Sequence, residues 1–210
     1  MSGGEPDAGL RPAAGFVAAE IGAEFPGLRL DWITLEARPR RSPPTVLAQL
    51  ALLSDRFRGA GAVMLRTRPI PQAYRAFFRQ IGLDPDVDRI PGERAAVARL
   101  LQGGFRSRDT VADACLIALL ETGVPVWALD AGAVDERGLG IGLAADGTLA
   151  VVDGRRVHGA LLREPAPASL VTPATDRVAL FAVGVGGVPA IHIEEALWLC
   201  AELLGGGSSG

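Results

Sequence analysis

The sequence contains no lysine and no asparagine, so its 21 basic residues are all arginine. With abundant alanine, glycine and proline, this composition indicates the codon bias of a GC-rich genome, and the arginine count alone says little about function. Long apolar runs are also absent, since none approaches the ~18 residues that a transmembrane helix needs. The N-terminal segment MSGGEPDAGLRP lacks the basic-then-apolar order of a secretory signal. We therefore expect a cytoplasmic protein without a membrane span.

Cysteine and histidine are scarce, which limits the chemistry available. Cys115 and Cys200 both fall on apolar faces of predicted helices, so we expect free buried thiols rather than a disulfide. His158 and His192 lie far apart and outside metal-ligand spacing, and we predict neither a metal site nor a cofactor. No GxSxG or Walker A motif is present. A serine or cysteine activated by histidine stays an open alternative, because such triads assemble in space.

The remaining composition is typical of one soluble globular domain. At 210 residues, of which 49% are hydrophobic and 21% charged, the chain is long enough to bury a substantial core. We predict a disordered N-terminus over 1–13, a single domain over 14–204 and a flexible tail over 205–210.

Charge is distributed unevenly along the chain. Residues 38–108 hold 14 arginines and five acids, a net charge of +9, whereas the rest holds seven arginines and 19 acids, a net charge of −12. The asymmetry indicates either a surface for an anionic partner such as RNA, or solvated helix faces whose arginines pair with acids from the other half.

Helices dominate the first half of the predicted fold. Residues 28–37 alternate as a strand does, and prolines then mark three helix starts at 43–44, at 69–71 and at Pro91. The inward stripes of these three helices are predicted to be Val46, Leu47, Leu50, Leu53 and Phe57, then Tyr74, Phe77, Phe78 and Ile81, then Val97, Leu100 and Leu101. The glycines that end them are those at 59–61, 82 and 103–104.

Strands dominate the second half. Leu139, Ile141 and Leu143 alternate with small residues, Asp146-Gly147 predicts a hairpin turn, and a return strand follows. Two further strands over 155–162 and 178–185 precede a final helix over 191–204. Because helices come first and a strand meander second, we predict an α+β fold.

The segment GLGIG, at 138–142, superficially resembles a phosphate-binding loop. It lacks a strand before it and a helix after it, so we interpret it as a strand. Glycines at alternate positions would let another backbone or a bulky ring pack against that face.

The stretch from Asp109 to Asp130 combines a helix, a glycine stop and a strand, and we expect the fold to be built around it. Asp109 can cap the helix, Gly123 can supply the left-handed residue that ends it, and VPVWAL is apolar as an interior strand is. Asp113 is the one charge inside the helix, so it needs a partner or a route to water.

The same stretch resembles the B3/4 domain, the editing domain of the bacterial phenylalanyl-tRNA synthetase beta subunit and of free-standing proteins made of that domain alone. The hallmark of that family is a V-D-x-x-N helix, a G-x-P turn and a strand ending in Asp. The residues that stand in these places here are Val111, Asp113, Gly123, Pro125 and Asp130, with Ala112 between the first two. Further matches lie upstream at Tyr74-Arg75, 81–85 and Gly92-Glu93 with Ala95, and downstream at Val171, Thr172 and Thr175, so that the resemblance spans roughly 25–204.

The resemblance implies a layered PheT/TilS-like α+β domain that binds tRNA or aminoacyl-tRNA, with hydrolysis of a mischarged ester as a further activity. Four polar positions of the family pocket are occupied here by Cys115, Leu116, Trp127 and Leu170, which leaves Thr172 and Thr175 as polar handles. These six residues are the pocket candidates, with no catalytic residue assigned.

Two functions stay open at this point. The first is binding of tRNA, with or without trans-editing, for which the candidate contacts are Arg38, Arg40, Arg41, Arg75, Arg79, Arg106 and Arg108. The second is a non-catalytic module that binds a small, amino-acid-like molecule in an apolar cavity, unless Trp127 fills that cavity.

Overall fold

The computed structural model describes residues 11–58 and 65–205 and confirms a mixed α+β architecture. Six helices lie in the described part of the chain: α1 Ala19–Glu24, α2 Pro44–Arg56, α3 Pro69–Gln80, α4 Pro91–Gln102, α5 Thr110–Thr122 and α6 Ala190–Gly205. The strands are β1 Ala13–Ala14, β2 Phe16–Val17, β3 Arg29–Glu36, β4 Val126–Asp130, β5 Gly140–Leu143, β6 Leu149–Val152, β7 Val157–Ala160 and β8 Arg177–Gly184.

The strands form two four-stranded sheets. The first has the order β1-β3-β8-β4, and all its pairs are antiparallel. The second has the order β2-β5-β6-β7, in which β2 runs parallel to β5 and the other pairs are antiparallel. The predicted hairpin at Asp146-Gly147 is confirmed between β5 and β6, and β7 continues the meander, but the predicted strand over 178–185 lies in the first sheet as β8.

The centre of the first sheet is β8, not the strand that the sequence singled out. Seven of its eight residues are buried, and it pairs with β3 on one side and β4 on the other. VPVWAL was predicted to be an interior strand, and this prediction was wrong, because β4 lies at the edge of the sheet. Its apolar residues are buried by packing above and below the sheet, which periodicity alone does not distinguish from a central position.

Most helix boundaries follow the predicted signals. Prolines open α2, α3 and α4, the Asp109 carboxylate accepts hydrogen bonds from the N–H groups of Val111 and Ala112, and Gly123 ends α5 in the left-handed conformation. α2 ends at Arg56, and the predicted glycine stop at 59–61 lies outside the described residues.

The inward face predicted for α4 was wrong. Leu100 is 52% exposed and Leu101 84% exposed, while Glu93, Ala96 and Arg99 face inward. Glu93 forms an ion pair with Arg75, and Arg99 donates from Nε to the carbonyl of Ser54. The inward face of α4 therefore includes charged side chains that have buried hydrogen-bond partners, and Leu100 and Leu101 lie on the outer face.

The alternate glycines of 138–142 do let rings pack closely, as predicted. A Cβ added at Gly138 would lie 2.5 Å from the Trp32 ring, and one at Gly140 would lie 2.5 Å from the Phe16 ring. Gly138 also has a φ of +79°, which L side chains rarely adopt. Residues 138–142, which lead into β5 and include its first three residues, therefore form a surface on which the two rings pack.

No helix in the described ranges is both long enough and apolar enough to cross a membrane. Ala13, the last residue of the predicted disordered terminus, lies in β1 and pairs with β3. Residues 1–10 of that segment lie outside the described residues.

Candidate functional site

The buried carboxylate of Asp113 connects two separate basic loops. It accepts hydrogen bonds from Ser42 Oγ at 2.6 Å, from Ser107 Oγ at 2.5 Å and from the Arg108 N–H at 2.9 Å. Asp113 is 1% exposed, so the partner predicted for this charge is confirmed. One partner comes from the loop before α2 and two come from the loop before α5, and Asp113 therefore fastens both loops to the first turn of α5.

Thr110, the first residue of α5, also binds the loop before α2. Its N–H donates to the Arg40 carbonyl at 2.8 Å, and its Oγ1 donates to the Arg38 carbonyl at 3.0 Å and accepts from the Arg40 N–H at 3.3 Å. These bonds use backbone groups of Arg38 and Arg40, and Arg38, Arg40 and Arg41 are all exposed.

Five of the seven arginines proposed to contact RNA are brought to this end of the molecule, and all five are exposed. We call the set the arginine surface, and it consists of Arg38, Arg40, Arg41, Arg106 and Arg108. Among the described residues, no ion pair to an acid is found for the side chains of Arg38, Arg41, Arg106 or Arg108.

A cavity of about 200 Å³ opens beside the arginine surface. Its charged lining consists of Arg38, Arg40, Glu36 and Asp176, and Leu203 and Leu204 of α6 contribute apolar walls. A second cavity of about 310 Å³ continues between α2 and α6, and Pro43 and Leu203 border both. The surface is therefore grooved, and the first cavity holds two basic and two acidic side chains.

The other two candidate arginines lie elsewhere. Arg79 is exposed on α3. Arg75 is 6% exposed, and its guanidinium donates to both Glu93 oxygens, at 2.8 and 3.1 Å, and to Asp86 at 2.8 Å. Arg75 is thus an internal ion-pair partner whose charge is not presented to a polyanion.

Several residues that carry the family resemblance contact one another. Arg75 Nη1 also lies 3.4 Å from the carbonyl oxygen of Pro85, so the upstream motif segments meet around one guanidinium. Tyr74 Oη donates to the Val183 carbonyl at 2.7 Å and ties the same helix to β8. These residues therefore hold the fold together.

The pocket candidates are not brought into one cavity. Cys115 packs against the main core, whereas its neighbour Leu116 packs against a separate cluster around α2. Trp127 is 8% exposed, and its ring stacks on Phe181 with centroids 5.5 Å apart. The cavities of about 200 and 310 Å³ described above include none of the pocket candidates in their linings.

The downstream candidates divide in the same way. Leu170 is 42% exposed on the surface. Thr175 is buried and donates from Oγ1 to Asp130 Oδ2 at 2.7 Å, and it also accepts the Thr172 N–H at 3.0 Å. The two threonines therefore anchor the segment that leads into β8 to the end of β4.

Sequence reasoning found no nucleophile motif, yet the structure joins a serine, a histidine and an aspartate. His158 Nδ1 lies 2.8 Å from Ser169 Oγ, and His158 Nε2 lies 2.8 Å from Asp153 Oδ2. With Asp153 accepting from the Nε2–H, the neutral ring accepts the serine proton at Nδ1. The only signal in the sequence was that the three residues lie within 17 positions of one another, in a predicted turn, a predicted strand and the loop after it.

The surroundings of this triad favour a structural role. His158 and Ser169 are fully buried, and the Ser169 and Leu170 N–H groups, which would have to stabilise an oxyanion, bind carbonyls within their own turn. Asp153 accepts three backbone N–H bonds, from Asp135, Arg155 and Arg156, at 2.7 to 2.8 Å. The triad therefore connects three loops and has no approach for a substrate.

The Asp153 carboxyl is strongly stabilised in its charged form. Burial opposes its ionisation, but the backbone hydrogen bonds and the bond from His158 outweigh that effect and lower its pKa from 3.8 to about 2. Within the described ranges, no group of three His, Cys, Asp or Glu side chains is arranged to hold a metal ion. Comparison of the chain with protein-family profiles and with curated protein sequences finds no match.

Proposed function

We propose that this protein binds tRNA or aminoacyl-tRNA through the arginine surface, as a free-standing domain of the B3/4 type. The observation that carries the proposal is the pair of fastenings at Asp113 and Thr110, which hold two basic loops, distant in sequence, at one end of the molecule. The resemblance described above supplies tRNA as the polyanion.

The electrostatics of the arginine surface suit a phosphate backbone. Arginine presents several N–H donors that can bind a phosphate in a forked geometry, and each phosphate contact releases condensed counterions. The other arginines of 38–108 are partly consumed by internal pairs, such as Arg56 with Glu121 and Arg75 with Glu93. The net charge of +9 therefore overstates the positive surface, and the proposal rests on the exposed side chains of Arg38, Arg41, Arg106 and Arg108.

The test is tRNA affinity as a function of salt, measured by fluorescence anisotropy. The double variant Arg38→Gln/Arg108→Gln should bind roughly 10-fold more weakly at low salt, and the slope of log K against log salt should shrink by about 2. The matched control is Arg137→Gln/Arg156→Gln, which removes the same charge from exposed positions outside the arginine surface. Equal losses in both double variants, or an affinity that ignores salt, would refute the proposed surface.

We propose binding without ester hydrolysis as the leading activity. Editing needs a pocket that positions a water molecule against the ester, and the candidate residues for that pocket pack into separate parts of the core. Whether the protein hydrolyses the ester is tested by measuring deacylation of a panel of mischarged tRNAs by the wild type and by Trp127→His. We expect no turnover from the wild type, and measurable turnover would identify a trans-editing factor instead.

The alternative of an apolar small-molecule site has less support. It requires a void lined by Cys115, Leu116, Trp127 and Leu170, whereas Trp127 stacks on Phe181 and Leu170 lies at the surface. Binding of a free amino acid, measured by calorimetry, with loss of that binding in Trp127→Ala, would support this alternative over the RNA proposal.

A further inference from the structure

The two cysteines are 85 positions apart in the sequence, yet their sulfur atoms are in contact. Cys115 Sγ and Cys200 Sγ lie 3.7 Å apart, one on α5 and the other on α6. An S–S bond is ~2.0 Å long, so the two atoms need to approach by roughly 1.7 Å to form one. A change in the side-chain rotamer moves a sulfur atom by a distance of this order.

The environment gives the two thiols different roles. Cys115 is partly exposed, whereas Cys200 is fully buried, so an oxidant in solution reaches Cys115 first. The hydrogen bond with Cys115 and burial raise the pKa of the Cys200 thiol, which keeps it protonated and slow to react by itself. Cys115 is thus placed as the attacking thiol, and Cys200 as the resolving one.

We propose that Cys115 and Cys200 form a reversible disulfide that links α5 to α6 when the protein meets a low-molecular-weight disulfide such as oxidised glutathione. This inference does not rest on RNA binding.

The reaction balances in two exchange steps. The Cys115 thiolate attacks one sulfur of oxidised glutathione, and the first glutathione leaves as a thiolate. Once Cys115 is held in the mixed disulfide, the Cys200 thiol loses its proton to solvent, attacks Cys115 Sγ and expels the second glutathione as a thiolate. The two protein thiols lose two electrons, oxidised glutathione gains them, and the two protons end on the released glutathione thiols.

The experiment is intact-mass spectrometry of the folded full chain after incubation with oxidised glutathione, followed by blocking of free thiols and trypsin digestion. We expect the chain to lose the mass of two hydrogen atoms and to yield a cross-linked pair of tryptic peptides, 109–137 and 178–210, that dithiothreitol separates. A chain that stays unmodified, one that keeps one or two glutathione adducts, or a disulfide between two chains would each overturn the proposal.

Two single variants test the assigned order. Cys200→Ala should accumulate a single glutathione on Cys115, because no resolving thiol is present. Cys115→Ser should remain unmodified over the same period, because Cys200 is fully buried. Rapid glutathionylation of Cys200 in the second variant would contradict the inferred order. The wild-type measurement keeps the proposal testable even if the Cys200 variant fails to fold.

Discussion

Asp113 and Asp153 are both buried carboxylates that join separate loops, but their partners differ in exposure. Asp113 binds Ser107 and the Arg108 backbone, and the arginines around it face solvent. Asp153 binds His158, which in turn binds Ser169, and both of these side chains are fully buried. The Asp153 region joins an aspartate, a histidine and a serine, whereas the described partners of Asp113 are two serines and a backbone N–H group.

The comparison shows that residue type alone does not identify a functional site, because the side chains must also be exposed to a substrate or partner. A serine, a histidine and an aspartate in hydrogen-bond contact form a structural unit when no substrate can reach them. Asp113 holds together two loops that carry exposed arginines, and under our proposal those arginines contact RNA. The following predictions test this contrast, from the largest expected effect to the smallest.

Asp153→Ala should reduce the free energy of unfolding by about 3 kcal/mol, because it leaves three backbone N–H groups and His158 without their acceptor. Urea unfolding followed by circular dichroism measures the change. The affinity of the folded protein for tRNA should be unaltered, since Asp153 contacts none of the arginine surface. A large loss of tRNA affinity at unchanged stability would show that Asp153 contributes to binding, and the proposed difference between the Asp153 and Asp113 regions would be wrong.

Asp113→Ala should have the reverse profile. We expect a smaller loss of stability, about 2 kcal/mol, because Ser42 is buried without another acceptor among the described residues, whereas Ser107 and Arg108 are exposed and can bind water instead. Affinity for tRNA should fall roughly 10-fold, because the two basic loops lose their common anchor. Asp113→Asn serves as the control, since an amide retains one acceptor oxygen and should preserve part of both properties. Unchanged affinity in Asp113→Ala would break the link between this carboxylate and the arginine surface.

Acid should weaken the Asp153 region in a defined pH window. The pKa of Asp153 is lowered in the folded protein, so its contribution to stability is present above its ordinary pKa of 3.8 and is lost as the pH falls toward about 2. Unfolding free energies measured between these two values should fall more steeply for the wild type than for Asp153→Asn, which has no charge to lose. Parallel curves would show that Asp153 is not the responsible group.

Ser169→Ala should have the smallest effect. It removes one hydrogen bond to His158 Nδ1 and should cost about 1 kcal/mol of stability. Because the triad has no approach for a substrate, hydrolysis of aminoacyl esters should be the same in wild type and variant. If the wild type hydrolyses such an ester and Ser169→Ala does not, the triad is catalytic and our structural interpretation is wrong.

Much of the fold was predictable because its signals are local. Pro69 and Pro91 opened helices, Gly123 ended one, and Asp146-Gly147 formed the predicted turn. The inward face of α4 was not predictable, because Arg99 and Glu93 are buried only where their partners reach them. A hydrophobic pattern records the preference of single residues and cannot record such pairs.

The candidate site was also predictable only in part. The sequence identified the arginines, but their distribution between buried pairs and the arginine surface depended on contacts between distant loops. The pocket residues were chosen from positions in a motif, and the structure separates them because Cys115 and Leu116, although adjacent, face different clusters of the core. Adjacent helical residues point about 100° apart, so motif position alone does not place them in one cavity.

The sequence by itself determined the class of fold, the helix starts and stops, and the supply of arginine, because these depend on backbone preference and composition. Only the tertiary structure placed β8 at the centre of the first sheet, joined Asp153 to His158 and Ser169, brought Cys115 against Cys200, and gathered the arginine surface around Asp113. Each of these depends on contacts between residues far apart in the chain, and such contacts exist only once the chain has folded.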